Sequence, residues 1–213
     1  SADKNAVYLP VLAGIGGQKA LTAVADSYKN GDAETKKAAV ASLAAWKTTD
    51  AVPVLLQIAR DNSNGSLRDE AVSGYVALAR KSDFPADQKL LMYRNAMELT
   101  TTPALQEKIL QGADKCRTFP ALLFAANYIS NNATKEAAAT AVMNIALADK
   151  SYRGDVVRQA LEQASAALSG RDADYQRQAI KKYLNEMPAG DGFVALFNGK
   201  DLSGWKGLVE NPV

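Results

Sequence analysis

The chain has no histidine. Proton transfer by imidazole, the Ser–His and Cys–His nucleophile pairs and every zinc site that uses imidazole are thereby excluded. It has one cysteine, Cys116, so neither an intrachain disulfide nor a thiolate metal cluster can form. A surplus of one charge is also lacking: 25 Lys and Arg stand against 23 Asp and Glu, a net charge of +2. Nucleic-acid binders carry clustered basic residues, whereas these cations are scattered among acids, which argues against that class. No apolar run reaches the ~20 residues that cross a bilayer; the longest, Phe119 to Ile129, is interrupted by Asn127. The opening Ser1-Ala2-Asp3-Lys4 lacks the basic segment and apolar core of a secretory signal, as expected of a mature or trimmed chain.

What is present is the composition of a folded protein. The 213 residues, 47% hydrophobic and 23% charged, suffice for one or two domains with a real core and are too apolar for disorder. The stretch Lys36 to Arg60 sets the pattern. Val40, Leu43 and Trp46 recur at helical spacing with Ala39, Ala41, Ala44 and Ala45 between them. A polar break, Lys47 to Asp50, precedes a second apolar run with Pro53 near its start and Val54, Leu55, Ile58 and Ala59 behind. Such a pattern predicts two antiparallel helices joined by a tight loop. Neither helix confines its apolar residues to one narrow stripe, so the pair requires neighbours to bury its surface.

The rest of the chain supplies them. Helices are predicted over 5–15, disturbed by Pro10 and stopped by Gly16-Gly17, and over 18–29, with Leu21, Val24, Ala25 and Tyr28 on one face. Gly31 is expected to close the second in a left-handed conformation, with Asp32 as the next N-cap. After the loop 62–65, Ser66-Leu67-Arg68-Asp69 has the spacing of a capping box ahead of a helix to Lys81. Further helices are expected up to Leu99, from Thr102-Pro103 to Arg117 with Thr102 as cap, over 121–130 and over 134–148. Two more follow, one opening at Arg153-Gly154-Asp155 with Asp155 as cap, the other over 172–187 with Tyr175, Ala179, Ile180, Tyr183 and Leu184.

Three junctions repeat one device: Asp50-Ala51-Val52-Pro53, Asp83-Phe84-Pro85 and Thr118-Phe119-Pro120. Each places a capping residue, an apolar residue and a proline at the start of the second helix of a pair, the prolines standing 32 and 35 positions apart. The first N–H groups of a helix have no intrahelical partner, so proline is tolerated there. A helix–turn–helix at this period is the mark of an α-solenoid. The expected fold is therefore all-α, a superhelix of about five antiparallel helix pairs over residues 1–187. In size, loop placement and Ala/Leu/Val content these repeats resemble HEAT-type repeats. They lack the Trp, Gly and Tyr spacing of tetratricopeptide repeats and the Thr-Pro-Leu-His of ankyrins.

Residues 188–213 read differently. Gly192-Phe193-Val194-Ala195-Leu196-Phe197 has strand-type composition, and Asn198-Gly199 is a tight-turn signal. A short extended tail is expected, the linker and first strand of a truncated β domain. The string running from Gly192 and Phe193 through Leu196, Phe197, Asn198, Gly199, Lys200, Asp201 and Leu202 to Gly204 and Trp205 resembles the opening of the 3-keto-disaccharide hydrolase family. That resemblance covers about residues 191–207. It implies a concanavalin-like β-sandwich, action on oxidised glycosides in glycan-degrading bacteria, and a periplasmic or extracellular location. The bulk of such a domain, and with it any catalytic residue, lies beyond the matched string, so no catalytic role is carried over.

Within the helices, the pairs Asp69-Glu70 and Asp172-Ala173-Asp174 fall at helix starts, where acids stabilise the positive end, and they lack the ligand spacing of an EF-hand. Lys181, Lys182 and Arg177 fall at the favourable end for cations. Arg153-Gly154-Asp155 reads as a helix start rather than an adhesion tripeptide. Cys116, flanked by Lys115 and Arg117, could be a reactive thiol; its spacing with Leu105, Ile109 and Ala113 favours a buried one. No catalytic, cofactor-binding or metal-ligating residue is singled out. Two functions remain. One is a non-catalytic interaction or positioning module, binding protein, peptide or glycan on a concave face beside its own C-terminal β domain. The other is a solenoid with its own activity or nucleic-acid binding on the concave face, of the HEAT-like glycosylase type, which needs Arg, Lys and Trp converging on one groove. Trp46 is expected in the core, which favours the first.

Overall fold

The computed structural model describes residues 2–61 and 65–188. Among them lie eleven α-helices: α1 Ala2–Ile15, α2 Gly17–Asn30, α3 Ala33–Ala44, α4 Val52–Arg60, α5 Gly65–Lys81, α6 Ala86–Leu99, α7 Pro103–Cys116, α8 Phe119–Ala126, α9 Lys135–Ala148, α10 Asp155–Ala167 and α11 Ala173–Glu186. They form an α-solenoid of five antiparallel pairs followed by the single helix α11. The odd-numbered helices stack as one row, α1 on α3, α3 on α5, α5 on α7, α7 on α9 and α9 on α11. Each even-numbered helix lies against the odd-numbered helices on either side of it, and even-numbered neighbours meet less closely. The tail and its resemblance over 191–207 lie outside the described residues.

The core follows the apolar pattern. Val40, Leu43 and Trp46 from α3 and the turn after it, Leu55 from α4, and Val72 and Leu78 from α5 are all buried. Each such side chain stabilises the fold by roughly 1.5–3 kcal/mol relative to solvent exposure. At the three proline junctions, Val52, Phe84 and Phe119 pack partly buried on this core. A short 3-10 turn, Thr49–Ala51, precedes α4, and Pro53 and Pro120 sit in the first turns of α4 and α8. Only at the third junction does the expected cap act on its helix, the Thr118 hydroxyl accepting from the Ala121 N–H at 3.3 Å. α1 runs unbroken through Pro10, while α8 is shorter than expected, ending at Ala126 before a run of turns.

Polar bonds tie each repeat to the next. Tyr28 Oη donates to Asp61 Oδ2 at 3.0 Å, Thr100 Oγ1 to Asp69 Oδ1 at 2.8 Å, and Asn144 Nδ2 to Asp114 Oδ2 at 3.1 Å. Tyr152 Oη donates to the Arg117 carbonyl at 2.9 Å and Tyr183 Oη to the Tyr152 carbonyl at 2.8 Å. The partners lie 30–35 residues apart, one repeat in each case.

Several caps differ from expectation because side chains found partners across repeats. Ser66 lies inside α5, so Ser66 to Asp69 is not a capping box; the Asp69 carboxylate instead accepts from the hydroxyls of Thr100 and Thr102. Thr102 therefore precedes α7 without capping it by its side chain. Gly154, not Asp155, is the residue before α10, at φ 101°. Asp32 does cap α3, accepting from the Thr35 N–H at 2.9 Å. That bond holds its carboxyl below the ordinary value, so its contribution is present at neutral pH and lost as pH falls through the lowered value. Tyr175, expected on the apolar face of α11, is 77% exposed.

Gly31 closes α2 in an extended conformation, φ −80°, rather than a left-handed one. Its glycine is required by space: a Cβ there would stand 2.5 Å from the Ser27 carbonyl and from Thr35 Cγ2. Gly74 is a second close approach, where a Cβ would meet Ala44 Cβ at 2.6 Å and its Cα at 2.7 Å, between the stacked helices α5 and α3. Gly14, inside α1, has open space around its Cβ position. Gly14→Ala should therefore raise stability by about 0.5–1 kcal/mol through helix propensity. Gly74→Ala should lower it by about 1–3 kcal/mol, because Ala44 backbone must move. Urea unfolding of both variants checks the opposite signs. Asp69→Ala strips an acceptor from two hydroxyls at once and should cost about 1–2 kcal/mol in the same measurement, with Asp69→Asn recovering part of it.

Candidate interaction surface

Cys116 and Arg177, both flagged by sequence, are built into the scaffold. Cys116 ends the buried face of Leu105, Ile109 and Ala113, as its spacing predicted, and its thiol lies 3.8 Å from the Gly112 carbonyl. Burial, the main cause, pushes that thiol up to about 11. Lys115 and Arg117 turn to Asp114 instead, at 3.8 and 3.7 Å. Arg177 lies near the start of α11 rather than its end, and caps a different helix. Its Nε donates to the Ser165 carbonyl at 3.1 Å and its Nη2 to the Leu168 carbonyl at 2.5 Å, at the negative end of α10, while Nη1 holds Asp174 at 3.0 Å. Asp172 precedes α11 without a side-chain cap bond. Among the described residues no group of three Cys, Asp or Glu side chains is arranged to hold a metal, and no helix is long and apolar enough to cross a membrane.

Three clefts border even-numbered helices, and a further one of about 380 Å³ lies between α1 and α3. Between α2 and α4 is a cleft of about 430 Å³ with Ala25, Val54 and Ile58 on its walls and Lys29, Lys36 and Asp61 around it. There the Lys36 ammonium sits 5.9 Å above the Tyr28 ring. A second, of about 680 Å³, opens between α8 and α10, with Asn127, Ser130, Lys135 and Gln163 facing Ala126 and Ala166. A third, of about 490 Å³, separates α10 from α11, where Ile180 and Leu184 form an apolar floor beside Arg158, Glu162 and Lys181. Helical periodicity could not have located these clefts, since they depend on how separate helices are spaced in the fold. Trp46 is only 2% exposed and lines none of the three.

The outer face of α1 is apolar as well. Val7, Val11 and Ile15, at intervals of four, and Tyr8 beside them are 57–72% exposed. A terminal solenoid helix ordinarily turns a polar face outward.

The fold and its surface define an α-solenoid. The family of HEAT repeats matches the chain over residues 3–75, which span α1 to α4 and part of α5. No curated protein and no solved structure matches the chain.

The Cys116 environment generates a direct test. At pH 8 iodoacetamide should alkylate the native chain about 100-fold more slowly than the urea-unfolded one, whose thiol has the ordinary value of 9.0. Equal rates would show an accessible thiolate. Because the folded state keeps this proton to higher pH than the unfolded state, it binds more protons between pH 9 and about 11. Stability should accordingly fall as pH rises through that window.

Proposed function

We propose that this solenoid is a non-catalytic interaction or positioning module of a larger bacterial glycan-processing hydrolase. The observation that supports an interaction role is the set of three clefts that border even-numbered helices, between α2 and α4, α8 and α10, and α10 and α11. Asp61, Asp69, Asp114, Tyr152 and Tyr183 are engaged in joining repeats. HEAT repeats, matched over residues 3–75, commonly serve protein interaction. The hydrolase context rests on the resemblance of residues 191–207 to the opening of 3-keto-disaccharide hydrolases. On that reading residues 188–213 lead into a β-sandwich domain, the solenoid presents protein, peptide or glycan to it, and the protein works in the periplasm or outside the cell.

The test compares the full-length protein with and without residues 1–187 on 3-keto-glycosides of increasing size. Turnover of small substrates should survive the deletion, with loss confined to large glycans or to a bound partner. Turnover by the solenoid alone would overturn the module reading. Absence of any 3-keto-glycoside activity in the full-length protein would overturn the hydrolase context.

A further inference from the structure

We propose that the clefts of the even-numbered row take the carboxylates of an acidic, otherwise small-residue protein segment lying across that row; this rests on the interaction reading above. Charge carries the argument. Chain-wide, cations and anions nearly balance, 25 to 23. Around the three clefts stand six cations and two anions, Asp61 and Glu162. Arg177 is committed to Asp174 and the end of α10, which leaves Lys29, Lys36, Lys135, Arg158 and Lys181 to meet a ligand. The clefts are therefore locally basic in a chain whose other charges nearly balance.

Apolar floors beside these cations set the second requirement. Val54, then Ala126 and Ala166, then Leu184 offer shallow contacts to small or aliphatic side chains between carboxylates, with Ile58 and Ile180 buried beneath them. Packed helices stand about 10 Å apart, so the first and third clefts are roughly 40 Å apart along the row, about 12 residues of extended chain. Nucleic acid fits less well. Sequence-independent strand binding needs aromatic faces for bases to stack on. Tyr28 is the sole aromatic lining the three clefts; it is buried, with its hydroxyl on Asp61 and Lys36 over its ring.

The probe is a fluorescein-labelled 14-residue peptide of alternating Glu and Ala, titrated with the whole chain at low and moderate salt. A 14-nucleotide deoxythymidine strand is titrated in parallel. The peptide should bind and weaken with salt. The variants K29Q/K36Q and R158Q/K181Q should each weaken it at least fivefold. K108Q/K115Q, the same charge change on exposed positions of α7 in the other row, should leave it within twofold. Circular dichroism melting confirms that each variant is folded; should one not be, K135Q is measured in its place. The proposal is overturned if the peptide does not bind, if K108Q/K115Q weakens it equally, or if the oligonucleotide binds at least as tightly with the same sensitivity. A chain that ignores the peptide while its deletion abolishes turnover of large glycans would overturn this proposal and leave the module reading standing.

Discussion

The fold depends on how closely the odd-numbered helices can approach. An amphipathic helix pair with apolar residues on more than one face cannot shield itself from water, and stacking identical neighbours is the economical remedy. Close stacking in turn requires small residues at the contact. Gly74 on α5 meets Ala44 on α3 with no room for another carbon, and buried Ala138, Ala139, Ala141 and Ala146 line α9. With that row closed, the even-numbered helices are held on its flank and spaced by the larger side chains beneath them.

Polar chemistry is subordinate to the same architecture. Asp61, Asp69 and Asp114 each accept from a neighbouring repeat, and Tyr152 and Tyr183 donate to carbonyls one repeat back. These bonds are directional where hydrophobic burial is not, so they fix the register between repeats that burial alone would leave free to slide.

Local signals were legible wherever a residue acts on its own helix. Pro53 and Pro120 start helices, Asp32 caps one, and Cys116 completes an apolar face as its spacing required. Reading failed where a side chain looked outward. Asp69 has capping-box spacing, yet its carboxylate is drawn to two threonines about 30 residues on, a pairing no local pattern records. Arg177 belongs energetically to α10 although it is covalently part of α11. The position of Gly31 suggests a left-handed cap, and the true constraint is the space beside Thr35, which only the folded turn creates.

The sequence by itself determined the solenoid, its period and nearly every helix, because repeated helix–turn–helix patterning and proline junctions are local and recur within the chain. It also excluded imidazole and disulfide chemistry, since residues that are missing cannot be supplied by folding. The tertiary structure alone decided which acids join repeats and which cations line concave surface. Those outcomes depend on distances between helices some 30 residues apart, set by the volumes packed between them and not by the spacing of letters along the chain.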